Sequence, residues 1–182
     1  HCPYCHGWEA RGQRLGVLAA SPLSPHQAEL VRQWSDHVTF FTAGLGGPLD
    51  DDVAARLRAR GVALEEAAVA EVLGDGGAVT GVRLVDGRVV ELDALFTGAM
   101  AQPHDDVVAH LGLDRADTPV GSFLAVDAFG KTSAERIWAA GNVVDPGATV
   151  PMSSGAGARV GGMVNMALVA DDAARALAEV AA

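Results

Sequence analysis

The sequence predicts an α/β fold in which a parallel sheet carries a small antiparallel meander. Three observations point to it. Leu15-Gly16-Val17-Leu18-Ala19-Ala20 and His37-Val38-Thr39-Phe40-Phe41 are short apolar runs of the kind that fill a sheet buried on both faces. The stretch between them has helix length, with Ala28, Leu30, Val31 and Trp34 on one side, so the two strands are joined by a crossover and run parallel. Further on, Asp75-Gly76-Gly77 and Asp86-Gly87 are turn signals of hairpin type.

Element by element, a short helix is expected through the first eight residues, where Pro3 presets one backbone angle. The first crossover helix is expected to start with Ser24 as N-cap and Pro25 in the first helical position, and to reach about Trp34. Asp50 to Arg60 form a polar helix, with acids at its start and arginines towards its end as the helix dipole favours. Val62 to Leu92 are expected to form three meander strands, and Ala94 to Gly98 another buried strand. After Gln102-Pro103 come a short helix from His104 to Leu111 and strands at Ser122–Asp127 and Ile137–Asn142. A small-residue loop over Val150–Gly157 then leads into a long closing helix. A composition shift near residue 100 divides the chain into modules 1–100 and 101–182.

The 182 residues suffice for a core, and a hydrophobic fraction of 49% is that of a folded chain. The net charge of -10 argues against nucleic acid and anionic membranes as partners. No apolar run reaches the roughly 20 residues of a membrane span. Two cysteines without a disulfide framework point to a reducing, cytoplasmic setting. Because the chain starts inside a motif, at His1, it is expected to be the C-terminal part of something longer.

The two cysteines are the chemical signal. Cys2-Pro3-Tyr4-Cys5 brings two sulfurs together in one turn, a spacing that lets them cycle between dithiol and disulfide. Zinc would need two further ligands, and the remaining histidines are scattered. The string Cys2-Pro3-Tyr4-Cys5-His6 also fits a haem attachment pattern, but haem leaves the crossover unit that follows unexplained. His6 is either a proton carrier for the pair or a surface bystander, and His1 is a second relay candidate. Trp8, Trp34 and Trp138 are expected in the core.

Taken together, His1-Cys2-Pro3-Tyr4-Cys5-His6-Gly7-Trp8-Glu9, the crossover unit from Leu15 to Phe41, and Val126-Asp127 through Ile137-Trp138-Ala139-Ala140-Gly141-Asn142-Val143 resemble the thioredoxin reductase-like flavoproteins. These are the small class of pyridine nucleotide-disulfide oxidoreductases. The resemblance implies a Rossmann-like central domain over 1–100, bearing the cysteines, and the C-terminal part of an FAD domain over 101–182. The family's first FAD stretch, with its glycine-rich phosphate loop, is not in this sequence, so alone the chain is expected to bind FAD poorly and to be inactive. The resemblance assigns Cys2 to the substrate and Cys5 to the flavin. It sets Gly141 and Asn142 at the ribityl chain, where the family commonly has Asp, and Val150, Pro151 and Met152 at the flavin edge. It also implies a homodimer.

Two departures bear on the electron donor. Ala19-Ala20-Ser21-Pro22-Leu23-Ser24-Pro25 has no glycine where the family's NADPH-binding turn needs it, and its two prolines remove donors. Thr42-Ala43-Gly44-Leu45 lacks the arginines that clamp the 2′-phosphate. NADPH binding is therefore expected to be weak or lost. The sequence is most similar to the branch of flavin-dependent dithiol oxidases, which oxidise a small dithiol or protein thiol and pass the electrons to oxygen. The alternatives are an NADPH-driven reductase, a non-catalytic dimerisation scaffold, and a stand-alone thiol-exchange protein.

Overall fold

The computed structural model describes residues 2–181. The expectation for His1 lies outside them. The chain divides into two compact units, the first ending at Met100 and the second beginning at Ala101, and each is described by itself.

The first unit is built on four parallel strands, β1 (Leu15–Leu18), β2 (Val38–Phe41), β3 (Ala63–Glu65) and β7 (Ala94–Thr97), in the order β3-β2-β1-β7. Alternation along β1 sorts its side chains to two faces. Leu15 and Val17 join Ala28 and Val31 of helix α2 (Ser24–Val31), Leu57 of helix α3 (Asp51–Ala59), Phe40 and Phe96 in one buried cluster. Leu18 and Phe41 face a second cluster with Val82, Leu84 and Leu92. Those three come from or follow the meander β4 (Val69–Asp75), β5 (Ala78–Leu84) and β6 (Val89–Glu91). Gly16 sits under that layer: a Cβ there would stand 2.7 Å from both Leu92 and Leu95.

The turns are those the sequence predicts. Gly76 and Gly77 take φ of 57° and 90° between β4 and β5, a region open to glycine. Asp50 caps α3, its carboxylate accepting from the Asp52 and Val53 N–H groups. Three expectations change. The stretch 62–92 holds four strands, because β3 leaves the meander and pairs with β2 as the sheet's outer parallel strand. Helix α2 ends at Val31, with Trp34 in the turn that follows. Its N-cap is Leu23, and Ser24 lies inside the helix with its hydroxyl turned upstream.

In the second unit a six-residue 3-10 turn, Asp106–Leu111, precedes a hairpin of β8 (Arg115–Thr118) and β9 (Gly121–Leu124). Ile137–Asn142 is not a strand. Among the described residues it makes a single bridge, Trp138 to Lys131, and the chain then bends at Gly141, where φ is 81°. Helix α4 (Val150–Ala181) begins where a loop was expected. Pro151 stands in its first turn, where the missing N–H is no loss, and the Ser153 N–H already reaches the Thr149 carbonyl at 2.9 Å. None of the described residues of α4 is buried. Among the described residues no helix is long and apolar enough to cross a membrane.

Candidate active site

The cysteines lie on a single helical turn, α1 (Pro3–His6). Cys2 is its N-cap with extended backbone, and its carbonyl accepts from the Cys5 and His6 N–H groups, both at 3.1 Å. Pro3 starts the turn and is buried beneath it. Both thiols are free and exposed, and they are not equivalent. Partial burial works against a Cys2 thiolate, but hydrogen bonds from the Cys5 thiol and from the Cys5 and Tyr4 N–H groups outweigh it, and the Cys2 pKa falls below the ordinary thiol value. Cys5 donates its proton to that bond and faces the charge that forms, so its pKa is raised. The turn thus holds a more acidic thiol and a proton-bearing partner.

His6 Nδ1 lies 3.3 Å from Glu9 Oε2. That contact fixes which ring nitrogen faces the carboxylate and places an imidazole one residue from Cys5. Trp8, expected in the core, is 63% exposed. Its ring meets Trp34 edge-on at 6.5 Å, and the Arg11 guanidinium lies 4.0 Å from its centroid, so it is held without being buried.

The carboxyl end of β1 is where such sheets ordinarily receive a dinucleotide. Here every backbone N–H from Ala19 to Pro25 is engaged. Ala19 donates to the Phe41 carbonyl at 3.0 Å. Ala20 and Ser21 both donate to Ser24 Oγ, at 3.0 and 3.1 Å. Leu23 donates to Ser21 Oγ at 3.3 Å and Ser24 to the Ser21 carbonyl at 3.0 Å, while Pro22 and Pro25 have no N–H. Ser21 and Ser24 are buried. A 3-10 turn, Ala43–Leu45, closes over the strand end: a Cβ on Gly44 would stand 1.9 Å from the Ala19 carbonyl oxygen. The serine bracket and this cover were missed in the sequence. Two serines three apart, interleaved with two prolines, were the available signal.

The remaining predicted residues lie in the second unit. Gly141 and Met152 share a cavity of about 230 Å³ with Val126, Ala139 and Val160. Asn142 faces a different cavity of about 260 Å³, beside Phe123 and Pro146. Its Nδ2 donates to the carbonyls of Asp145 at 3.0 Å, Pro146 at 3.5 Å and Ala148 at 3.1 Å. Three carbonyl acceptors require an amide donor, which an Asp would not supply. Val150, Pro151 and Met152 are all exposed at the start of α4, Met152 beside the cavity. Ser153 Oγ, next to Gly141, is buried with no hydrogen-bond partner among the described residues. The described residues hold no cluster of His, Cys, Asp and Glu able to bind a metal.

The four-stranded parallel sheet is of the dinucleotide-binding α/β type, and the same unit carries two free, exposed thiols on one helical turn. The chain belongs to the pyridine nucleotide-disulphide oxidoreductase family, whose pattern matches residues 25–163. It is 31% identical over 180 residues to the thioredoxin reductase tcpT of Claviceps purpurea, covering 94% of this chain and 54% of that protein. It is 28% identical to the thioredoxin reductase aclD of Aspergillus oryzae, over 88% of this chain and 54% of the relative. Among solved structures it resembles HlmI at 39% identity and a TM-score of 0.87, covering 100% of this chain and 55% of that one. An oxidoreductase from Agrobacterium tumefaciens follows at 36% identity and a TM-score of 0.81, over 93% and 55% of the two chains. The chain spans about half the length of these relatives.

Proposed function

We propose that this chain is the cysteine-bearing part of a flavin-dependent thiol–disulfide oxidoreductase that oxidises a small dithiol to a disulfide with oxygen as acceptor. The observation that carries the choice of direction is the sealed turn over Ala19–Pro25. With its N–H groups engaged and Gly44 against Ala19, the turn has no free backbone donor from Ala19 to Pro25 for the phosphates of a pyridine nucleotide. Electrons then enter from the thiol side.

In this reading a substrate thiolate attacks the Cys2 sulfur of the oxidised pair, the Cys2–Cys5 bond breaks, and the electron pair leaves on Cys5. The second substrate thiolate attacks the first sulfur, the substrate disulfide forms, and Cys2 leaves as the thiolate its turn favours. His6, held by Glu9, takes up and returns protons between these thiols and solvent. FAD, when bound, would supply a two-electron acceptor for the reduced cysteine pair, with oxygen as the final acceptor and hydrogen peroxide as its product. Gly141, Val150, Pro151 and Met152 would border it. Asn142 Oδ1 and the unpartnered Ser153 hydroxyl are polar atoms its ribityl hydroxyls suit, since the Asn142 amide hydrogens are spent on the loop. FAD binding is proposed to need sequence beyond this chain, and the whole protein is proposed to be a cytoplasmic homodimer.

The test is an anaerobic titration of the complete flavin-loaded protein, first with NADPH and then with a dithiol, followed by flavin absorbance. Bleaching by the dithiol alone, reversed in air with peroxide formed, is the expected result. Rapid bleaching by NADPH would restore the reductase reading, and no bleaching by either reagent would favour the scaffold.

A further inference from the structure

We infer that Trp34, a residue outside the redox motif, is the positioning residue that seats the cysteine turn and holds its two thiols in their mutual geometry. The inference rests on the reading of Cys2 and Cys5 as the redox pair. Three independent contacts converge on this one side chain and its carbonyl. Gly7, buried at the end of α1, lies so close that a Cβ there would stand 2.1 Å from Trp34 Nε1. The same Cβ would stand 2.5 Å from the Pro3 carbonyl, so Gly7 is held between its own turn and the indole. The Trp8 ring meets Trp34 edge-on at 81°. The Gly12 N–H, at a φ of 73°, donates to the Trp34 carbonyl at 2.8 Å. Trp34 itself packs against the buried cluster of the parallel sheet. The segment 7–12 is therefore fastened to the sheet through Trp34 and through Ala10, which enters the same buried cluster, and α1 hangs from that segment. Of the two, Trp34 is the one that touches Gly7 at the end of α1.

The acidity of Cys2 depends on this. Its thiolate is favoured by groups on the same turn, the Cys5 thiol and the Cys5 and Tyr4 N–H groups, and those bonds last only while the turn keeps its shape. The charged side chains of the neighbouring elements have partners of their own. His6 faces Glu9, and Arg11 lies on Trp8. On α2 and the turn after it, Arg32 pairs with Asp36, and Glu29 faces Arg56 and His26.

The experiment is alkylation of the reduced complete protein with iodoacetamide across a pH series, with Cys2 and Cys5 followed separately by peptide mass spectrometry. Trp34→Phe keeps a ring in the core but withdraws the indole edge that Gly7 meets, and Trp34→Ala removes both. The expected result is that the Cys2 midpoint rises towards that of an ordinary thiol. The Cys2-over-Cys5 preference should fall several-fold, more in Trp34→Ala than in Trp34→Phe, with the Phe variant still melting cooperatively. A folded Trp34→Phe protein with wild-type midpoint and preference would overturn the inference, whatever becomes of the Ala variant. If the pair responds to Trp34 but the wild type turns over no dithiol, the oxidase reading fails and the seat stands.

Discussion

Gly44 lies against the carbonyl of Ala19, so close that a single added methyl would fall 1.9 Å from that oxygen. The contact joins the turn after β2 to the end of β1, the end of the sheet at which such folds ordinarily receive a dinucleotide. Gly44→Ala is expected to lift that turn and destabilise the protein by about 1–3 kcal/mol, the usual range for overpacking. Urea denaturation measures it, and an unchanged midpoint would show that the turn yields freely.

Ser24 holds the other half of the seal. Ser24→Ala leaves the Ala20 and Ser21 N–H groups without their acceptor, which is expected to lower stability by about 1–3 kcal/mol. NADPH binding, measured by calorimetry, should not appear in this variant, because Gly44 still covers the strand end. Its appearance would mean that the bracket alone excludes the nucleotide.

The two thiols should titrate in order. Cys2, with its pKa lowered, is expected to alkylate at lower pH than Cys5, whose pKa is raised by the bond to Cys2 and by its charge. Cys5→Ala removes the S–H donor and should move the Cys2 midpoint upward, whereas Cys5→Ser, which keeps an O–H donor, should move it less. Equal midpoints in all three proteins would contradict the hydrogen-bonded pair.

Asn142→Asp would set a carboxylate against the Asp145 and Ala148 carbonyls that now receive Nδ2. A loss of about 1–3 kcal/mol is expected from the broken bonds, along with faster proteolysis in the 145–148 loop. A variant as stable as wild type would leave the amide clamp without weight and favour a purely ligand-binding role for this position.

An ionic clasp predicts acid behaviour. Hydrogen bonds from the Arg14 side chain and then its backbone N–H hold the Asp93 carboxyl down at about 2, against an ordinary 3.8. A depressed carboxyl contributes stability that is present above its unfolded pKa and is lost as pH falls through the folded one. The contribution of Asp93 should therefore disappear between roughly pH 4 and pH 2. Asp93→Asn is expected to flatten that part of the stability curve. An identical acid limb in the two proteins would show that the clasp forms no better in the folded state than in the unfolded chain.

What could be read from the chain was mostly local. The apolar runs at Leu15 and Val38 became parallel strands, the Asp-Gly turns closed the meander, and Asp50 capped its helix. Each of these follows from the period of the side chains or from the φ a residue allows, so a window of a few residues contains the cause. The pair Cys2 and Cys5 was legible for the same reason: three residues suffice to bring the sulfurs to one turn.

What the sequence by itself determined, then, is the set of elements and the presence of a dithiol. Tertiary structure alone decided which partner each polar group takes and which neighbour each small residue admits. Ser24 reads in the sequence as an ordinary cap, yet its hydroxyl serves the strand end instead, because α2 packs where Ala20 and Ser21 need an acceptor. β3 left the meander because the edge of β2 was open to it. Ile137–Asn142 has strand composition but only one bridge among the described residues, since an extended segment becomes a strand only when another strand lies beside it. Gly7 with Trp34, and Gly44 with Ala19, are each about 25 residues apart in the chain, and their close approach exists only after the sheet has formed.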